Sequence, residues 1–150
     1  MRGASWTSAD EYQIREDAIR FEDWEIPYAL MFGATAAIEY ALDIGLTVIE
    51  ERNKVLSGAL RSQLRAVELN PLDTGKTLSS IITVYCPGWE HETLMKFLHD
   101  NNINASISHG DFALIDFEKK GVPWALRLSP HYYNTEEELS RAVHCLEEFK

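Results

Sequence analysis

The densest apolar stretch of the chain is YALMFGATAAIEYALD (28–43), where Glu39 and Asp43 are the charged interruptions. That density predicts a helix buried nearly all round. Gly33, Ala34, Ala36, Ala37 and Ala41 make it small-sided and suited to close packing. Pro27 fits its first turn and Gly45 its C-terminal cap. In LTVIEERNKVLSGALRSQLRAV (46–67), Ile49, Leu56, Leu60, Leu64 and Val67 fall near one stripe, while Glu50, Arg61 and Arg65 face elsewhere. This predicts an amphipathic helix. Asn70, Pro71, Asp73 and Gly75 then mark a turn. The β-branched SSIITVYC (79–86) predicts a strand, ended by Pro87-Gly88. EHETLMKFLHDN (90–101) predicts a short helix with Leu94, Phe97 and Leu98 inward. INASIS (103–108) and DFALIDF (111–117) predict short strands. WALRLSP (124–130) alternates Trp124, Leu126 and Leu128 against Ala125, Arg127 and Ser129, the period of a strand. Thr135 and Glu138 form a capping box at the start of the last helix. Leu139, Ala142, Val143, Leu146 and Phe149 give that helix its buried stripe.

The predicted order is α–α–β–α–β–β–β–α. This is an α+β fold, a small antiparallel or mixed sheet packed with helices. Residues 1–27 show no clean period and read as a loop-rich lead-in with a turn of helix at 15–19. A stable domain rarely begins with so long an irregular segment. A helix buried on all sides at 28–43 also needs neighbours that the rest of the chain is short of. Both features suggest that the chain starts in the middle of something larger.

Composition narrows the function classes. At 150 residues with 45% apolar and 25% charged side chains, the chain is ordinary globular material. Its net charge of −10 argues against nucleic acid and against an anionic membrane surface. The apolar-rich stretch 26–49 is broken by Pro27, Glu39, Asp43 and Gly45, so it is not expected to span a membrane. Cys86 and Cys145 make neither a disulfide framework nor a zinc cluster, which favours a reduced, cytoplasmic setting.

Most apparent motifs have a plainer explanation. Thr74-Gly75-Lys76-Thr77 matches the tail of a phosphate-binding loop, but Asn70 stands where its first Gly belongs, so a turn is favoured. His91-Glu92 begins like a zinc-protease helix, yet Met95 replaces the second His and His99 lies too far on; no metal site is expected. Ser108-His109-Gly110-Asp111 suits a tight turn between two strands better than a triad. Asp116 and Glu118, alternate on the expected strand, read as a solvated edge.

Arg127 differs. It sits in an apolar strand, where burying an unpaired guanidinium is costly, so its place asks for an anion. Its fork of donors matches a carboxylate. An internal salt bridge to one of the chain's own 24 carboxylates is an equal alternative.

From Arg127 the chain reads RLSPHYYNTEEELSRAVHCLEEF. This closely resembles the C-terminal end of class V aminotransferase-like, pyridoxal-phosphate (PLP) enzymes of fold type I. That group includes cysteine desulfurases and isopenicillin N epimerase-like proteins. The resemblance runs back through the helix pair 28–67, DAIRFEDWE (17–25) and RGASW (2–6), almost the whole chain. It implies a linker from a missing large domain (1–27), a helix pair joining the large and small domains (28–67) and a small C-terminal α+β domain (68–150). It implies that Arg127 grips the α-carboxylate of an amino-acid substrate. It also implies PLP in the complete enzyme, as an electron sink at the amino acid's α-carbon.

The departures from the family pattern are informative. In the family a Lys upstream of this chain's first residue holds PLP as a Schiff base. None of Lys54, Lys76, Lys96, Lys119, Lys120 and Lys150 occupies a matching place. The catalytic set is therefore expected to lie elsewhere, and the isolated chain to be inactive and to bind no PLP covalently. Desulfurases carry a nucleophilic Cys in a loop before the last strand; residues 103–123 hold none, which argues against that chemistry. Where desulfurases place a Gly-Thr pair on the neighbouring subunit's PLP phosphate, this chain has Trp24-Glu25, as in the epimerase-like branch. A Glu side chain would repel phosphate, which leaves only a backbone contact.

The expected partners are thus a large PLP-binding domain, in the same or a separate chain, and a second copy in a homo-oligomer such as a dimer. Three origins stay open. The chain is a piece of a complete transferase-type enzyme, which Met1 inside the matched segment favours; or one half of a split enzyme; or a non-catalytic interaction module that kept only the fold.

Overall fold

A computed structural model describes residues 3–22 and 25–150. Met1, Arg2, Asp23 and Trp24 lie outside the described residues. The chain divides into two compact units, Met1–Asp43 and Ile44–Lys150.

The first unit holds a hairpin that the lead-in's polarity conceals. Strands β1 (Ala4–Trp6) and β2 (Tyr12–Ile14) pair antiparallel, with Trp6 opposite Tyr12. The Thr7 and Ser8 amides donate to the Glu11 carbonyl and close the turn. Three residues per strand are too few to register as a period of two. The expected turn of helix appears slightly later, as a 3-10 turn over Ala18–Phe21. Helix α1 (Tyr28–Ile44) matches the apolar run. The Pro27 carbonyl accepts from the Leu30 and Met31 amides at its start. Burial all round is not met within the chain: α1 buries no residue, and Tyr28, Phe32 and Tyr40 are each more than 60% exposed.

The second unit carries the core. Helix α2 (Leu46–Ala66) begins after Gly45, whose φ of +97° suits a residue without a Cβ. Strand β3 is Ile82–Val84, helix α3 His91–Asp100, strand β4 Ser106–His109, helix α4 Leu114–Lys120, strand β5 Trp124–Leu128 and helix α5 Glu136–Phe149. The sheet order is β3-β5-β4, antiparallel throughout. Leu56, Leu60 and Leu64 from α2 meet Leu94 and Leu98 from α3 and Leu139, Val143 and Leu146 from α5. Together they cover Ile82, Val84, Leu126 and Leu128, the alternate residues of one sheet face. Each of these aliphatic side chains contributes about 1.5–3 kcal/mol on burial.

One predicted strand is a helix. DFALIDF (111–117) folds as a 3-10 turn (Gly110–Ala113) running into α4. Leu, Glu and Lys favour a helix there, and Lys120 bridges to Asp116 one turn back at 2.7 Å. Gly121, at φ +66°, ends the helix in the left-handed region. The tight turn expected at Ser108–Asp111 is accordingly the entry to this helix. Asp116 and Glu118, two apart on a helix, do not share a face.

Candidate substrate-binding site

Arg127 lies on the central strand, and its burial departs from its apolar neighbours. Trp124, Ala125, Leu126 and Leu128 are buried; Arg127 is exposed. It stands opposite Thr83 of β3 and Ser106 of β4, forming a polar row on the sheet face away from Leu126 and Leu128. Its Nε donates to Ser129 Oγ at 3.3 Å. Among the described residues no carboxylate lies within ion-pair distance of it, so none of them supplies the internal salt bridge left open by the sequence. The two terminal nitrogens thus present an unfilled fork, held at its base by Ser129.

Thr83 is fixed from the opposite edge. Its amide and hydroxyl donate to Asp73 Oδ1 at 3.1 and 3.3 Å, and its carbonyl accepts from the Leu72 amide at 2.7 Å. Its backbone groups therefore point away from β5, which makes Thr83 and Arg127 a non-hydrogen-bonded pair. In such pairs the Cα atoms approach to about 4.5 Å and the side chains crowd together. Asp73 Oδ2 in turn accepts from Arg61 Nε at 2.8 Å. Arg61 Nη2 donates to the Ser79 carbonyl at 2.6 Å. The Arg61 and Asp73 side chains are only 7% and 12% exposed. Arg61 was assigned above to the face turned from the core; it is buried instead. The available signal was its spacing of four from Ser57, another buried position beside the leucine stripe.

The remaining candidates separate. Thr74–Thr77 lies in a loop with no helix following it, as a turn requires. His91 opens α3, and its ring packs edge-on against His109 at 5.5 Å and against Trp124 at 5.7 Å. His99 points to solvent. The pairing of His91 with His109 joins residues 18 apart in sequence, a distance at which helical spacing says nothing.

The lysines do not fit the anchor of a PLP group. Lys54, Lys96, Lys120 and Lys150 each pair with a carboxylate at 2.5–2.9 Å. Lys76 and Lys119 are exposed. A useful amine needs a desolvated setting or a neighbouring cation to lower its pKa, and no lysine of this chain has the burial. Residues 103–123 present no thiol. Cys145 sits in the core with its pKa raised, chiefly by burial and further by Glu148.

Residues 3–142 match the family described as Aminotransferase class-V. The chain belongs to this family. The match covers most of the sequence, and solved structures agree. The apo structure of a cysteine desulfurase from Thermococcus onnurineus NA1 is 25% identical, with a TM-score of 0.77 over 99% of this chain and 37% of its own. The cysteine desulfurase CsdA from Escherichia coli is 19% identical, with a TM-score of 0.75 over 98% of this chain and 36% of its own. A protein titled NifS-like is 20% identical, with a TM-score of 0.67 over 92% and 41%. The chain thus spans little more than a third of the length of these structures. No curated protein matches significantly.

Family membership places the α+β sheet-and-helix arrangement within PLP fold type I, as the resemblance implied. Among the described residues no single helix is long and apolar enough to cross a membrane; only α1 and α2 taken together, broken at Gly45, reach that length and hydropathy.

Proposed function

We propose that this chain is the C-terminal portion of a PLP-dependent enzyme acting on an amino acid, and that Arg127 holds the substrate's α-carboxylate. The observation that carries the reading is the unfilled fork of Arg127. It is exposed on a polar row, has no carboxylate partner among the described residues and is oriented by Ser129. A planar pair of donors in that state suits a carboxylate, which it can hold by two parallel N–H···O bonds. The role is positioning rather than bond chemistry: it fixes the amino acid so that its α-carbon can meet groups supplied from elsewhere.

The coenzyme and its lysine belong, on this reading, to the part of the enzyme beyond this chain. The apolar side chains left exposed on α1, and Trp6 and Tyr12 on the hairpin, support a large covering partner. We assign that cover to a large PLP-binding domain and a second subunit of a cytoplasmic homo-oligomer. The absence of a cysteine from 103–123 supports a reaction other than thiol-dependent desulfuration.

The test is made in the complete enzyme. Arg127→Ala and Arg127→Lys should each raise KM for the amino acid on the order of 100-fold, the loss of roughly 3 kcal/mol of charged hydrogen bonding. Coenzyme content should not change. An unaltered KM in both variants overturns the role. In addition, borohydride treatment of the isolated chain with PLP should incorporate no coenzyme at a defined lysine; stoichiometric labelling of one lysine would overturn the division of labour.

A further inference from the structure

We propose that the buried Arg61 is a positioning residue that keeps Arg127 available, by holding Asp73 away from it. The inference rests on the carboxylate role of Arg127. Asp73 is the acidic group at the edge of the row that contains Arg127. Its Oδ1 lies 3.3 Å from Thr83 Oγ1, and Thr83 faces Arg127 directly across the β3–β5 pair. A carboxylate there is separated from Arg127 by the single residue Thr83. Left without a partner, Asp73 would be an intramolecular competitor for the group that should bind substrate, at an effective concentration on the order of millimolar.

Arg61 removes that competitor. Its Nε takes Asp73 Oδ2 at 2.8 Å, and its Nη2 is anchored on the Ser79 carbonyl at 2.6 Å, so the guanidinium is held beside α2. The Thr83 amide and hydroxyl fill the other carboxylate oxygen. Both oxygens of Asp73 are committed, while Arg127 has only Ser129. A buried ion pair is weak evidence for stability, since desolvating two charges offsets much of their attraction. Its better explanation here is specificity. The pair ties the 71–81 segment to β3 through Asp73 and at the same time takes that carboxylate out of competition.

The test uses the 150-residue chain with 15N-labelled arginine, reading the Arg127 Nε–H resonance by NMR, with acetate as the carboxylate probe. Arg127→Ala assigns the signal. In the parent chain the resonance should move saturably with acetate. In Arg61→Met it should shift before any acetate is added and bind acetate at least tenfold more weakly, because Asp73 has captured the fork. Arg61→Met with Asp73→Asn should recover the parent response to within twofold. Recovery is the outcome that a merely structural Arg61 would not give, since the double variant lacks the staple altogether. Acetate binding unchanged in Arg61→Met overturns the inference, as does a double variant that keeps native sheet resonances yet fails to recover. Should Arg61→Met not fold, the double variant alone decides. Replacing both members of a buried pair is commonly tolerated, and weaker acetate binding than the parent overturns the inference. An Arg127 signal indifferent to acetate in the parent overturns the carboxylate role and this inference with it; a responsive parent with an unaffected Arg61→Met overturns this inference only.

Discussion

Arg52 and Glu136 meet as a two-pronged ion pair, Nη1 to Oε1 at 2.5 Å and Nη2 to Oε2 at 2.9 Å, across 84 residues of sequence. Arg52 Nη2 also donates to the Asn134 carbonyl at 3.0 Å. The pair joins the second turn of α2 to the first turn of α5, just beyond the segment that leaves β5. It therefore ties the strand of Arg127 to the helix layer at the strand's exit.

This pair makes stability depend on acid in a defined window. The Arg52 guanidinium holds the Glu136 carboxyl down at about 2, against an ordinary value of 4.5. A depressed carboxyl stabilises the fold above its unfolded value and loses that contribution as pH falls toward its folded value. The melting temperature should hence decline between pH 4.5 and 2. Glu136→Gln should melt lower at pH 7 and decline less steeply through that window. Parallel pH profiles for the two proteins would show that the pair contributes nothing in solution.

The start of α5 is the feature most completely anticipated from sequence. Thr135 Oγ1 accepts from the Glu138 amide at 3.3 Å, and the Glu138 carboxylate accepts from the Thr135 amide at 3.0 Å. Thr135→Ala should cost about 1 kcal/mol in urea unfolding with an unchanged slope. An unshifted midpoint would mean that the helix is held by its core contacts alone.

The cysteines should separate by reactivity. Cys145 is 4% exposed with its thiol pushed up by burial. Cys86 is half-buried and lines a cleft of about 330 Å³ with Trp89, Thr93 and Phe149. Because the thiolate is the reacting species, a disulfide reagent should modify Cys86 first and reach Cys145 only at the rate of unfolding. Equal rates under native conditions would contradict the packing around α5.

What the sequence disclosed follows from which interactions are local. The leucine stripe of α2, the capping box of α5 and the alternation around Arg127 are written within a few residues, and each was legible. The Asp73–Thr83 contact and the His91–His109 packing join separate elements, and no period encodes them. Arg61 misled because a charge beside an apolar stripe is ordinarily solvated; its burial depends on Asp73, which a loop delivers from 12 residues away. The hairpin of Trp6 and Tyr12 was missed for its brevity. The segment 111–117 was misassigned because a short apolar run satisfies both periods; the helix formers toward Lys120 and the stop at Gly121 were the local signals passed over, while the close approach of Gly110 to Pro123 at its base is tertiary.

That glycine gives a last expectation. Gly110 donates its amide to the Pro123 carbonyl at 3.0 Å, which closes the base of the segment holding α4. A Cβ at Gly110 would stand 2.9 Å from the same Pro123 oxygen and 3.5 Å from Phe117 Cβ. The oxygen belongs to the backbone and cannot turn aside, so the strand entry or α4 must shift. Gly110→Ala should destabilise by about 2 kcal/mol, in the range of overpacked sites. Gly58, exposed in the middle of α2, has no atom within 4 Å of the same added carbon. Gly58→Ala should stabilise by about 0.5–1 kcal/mol, since helix propensity acts there unopposed. Chemical unfolding of the two variants side by side checks the contrast. A Gly110→Ala protein as stable as the parent would mean that Gly110 does not pack against the Pro123 carbonyl.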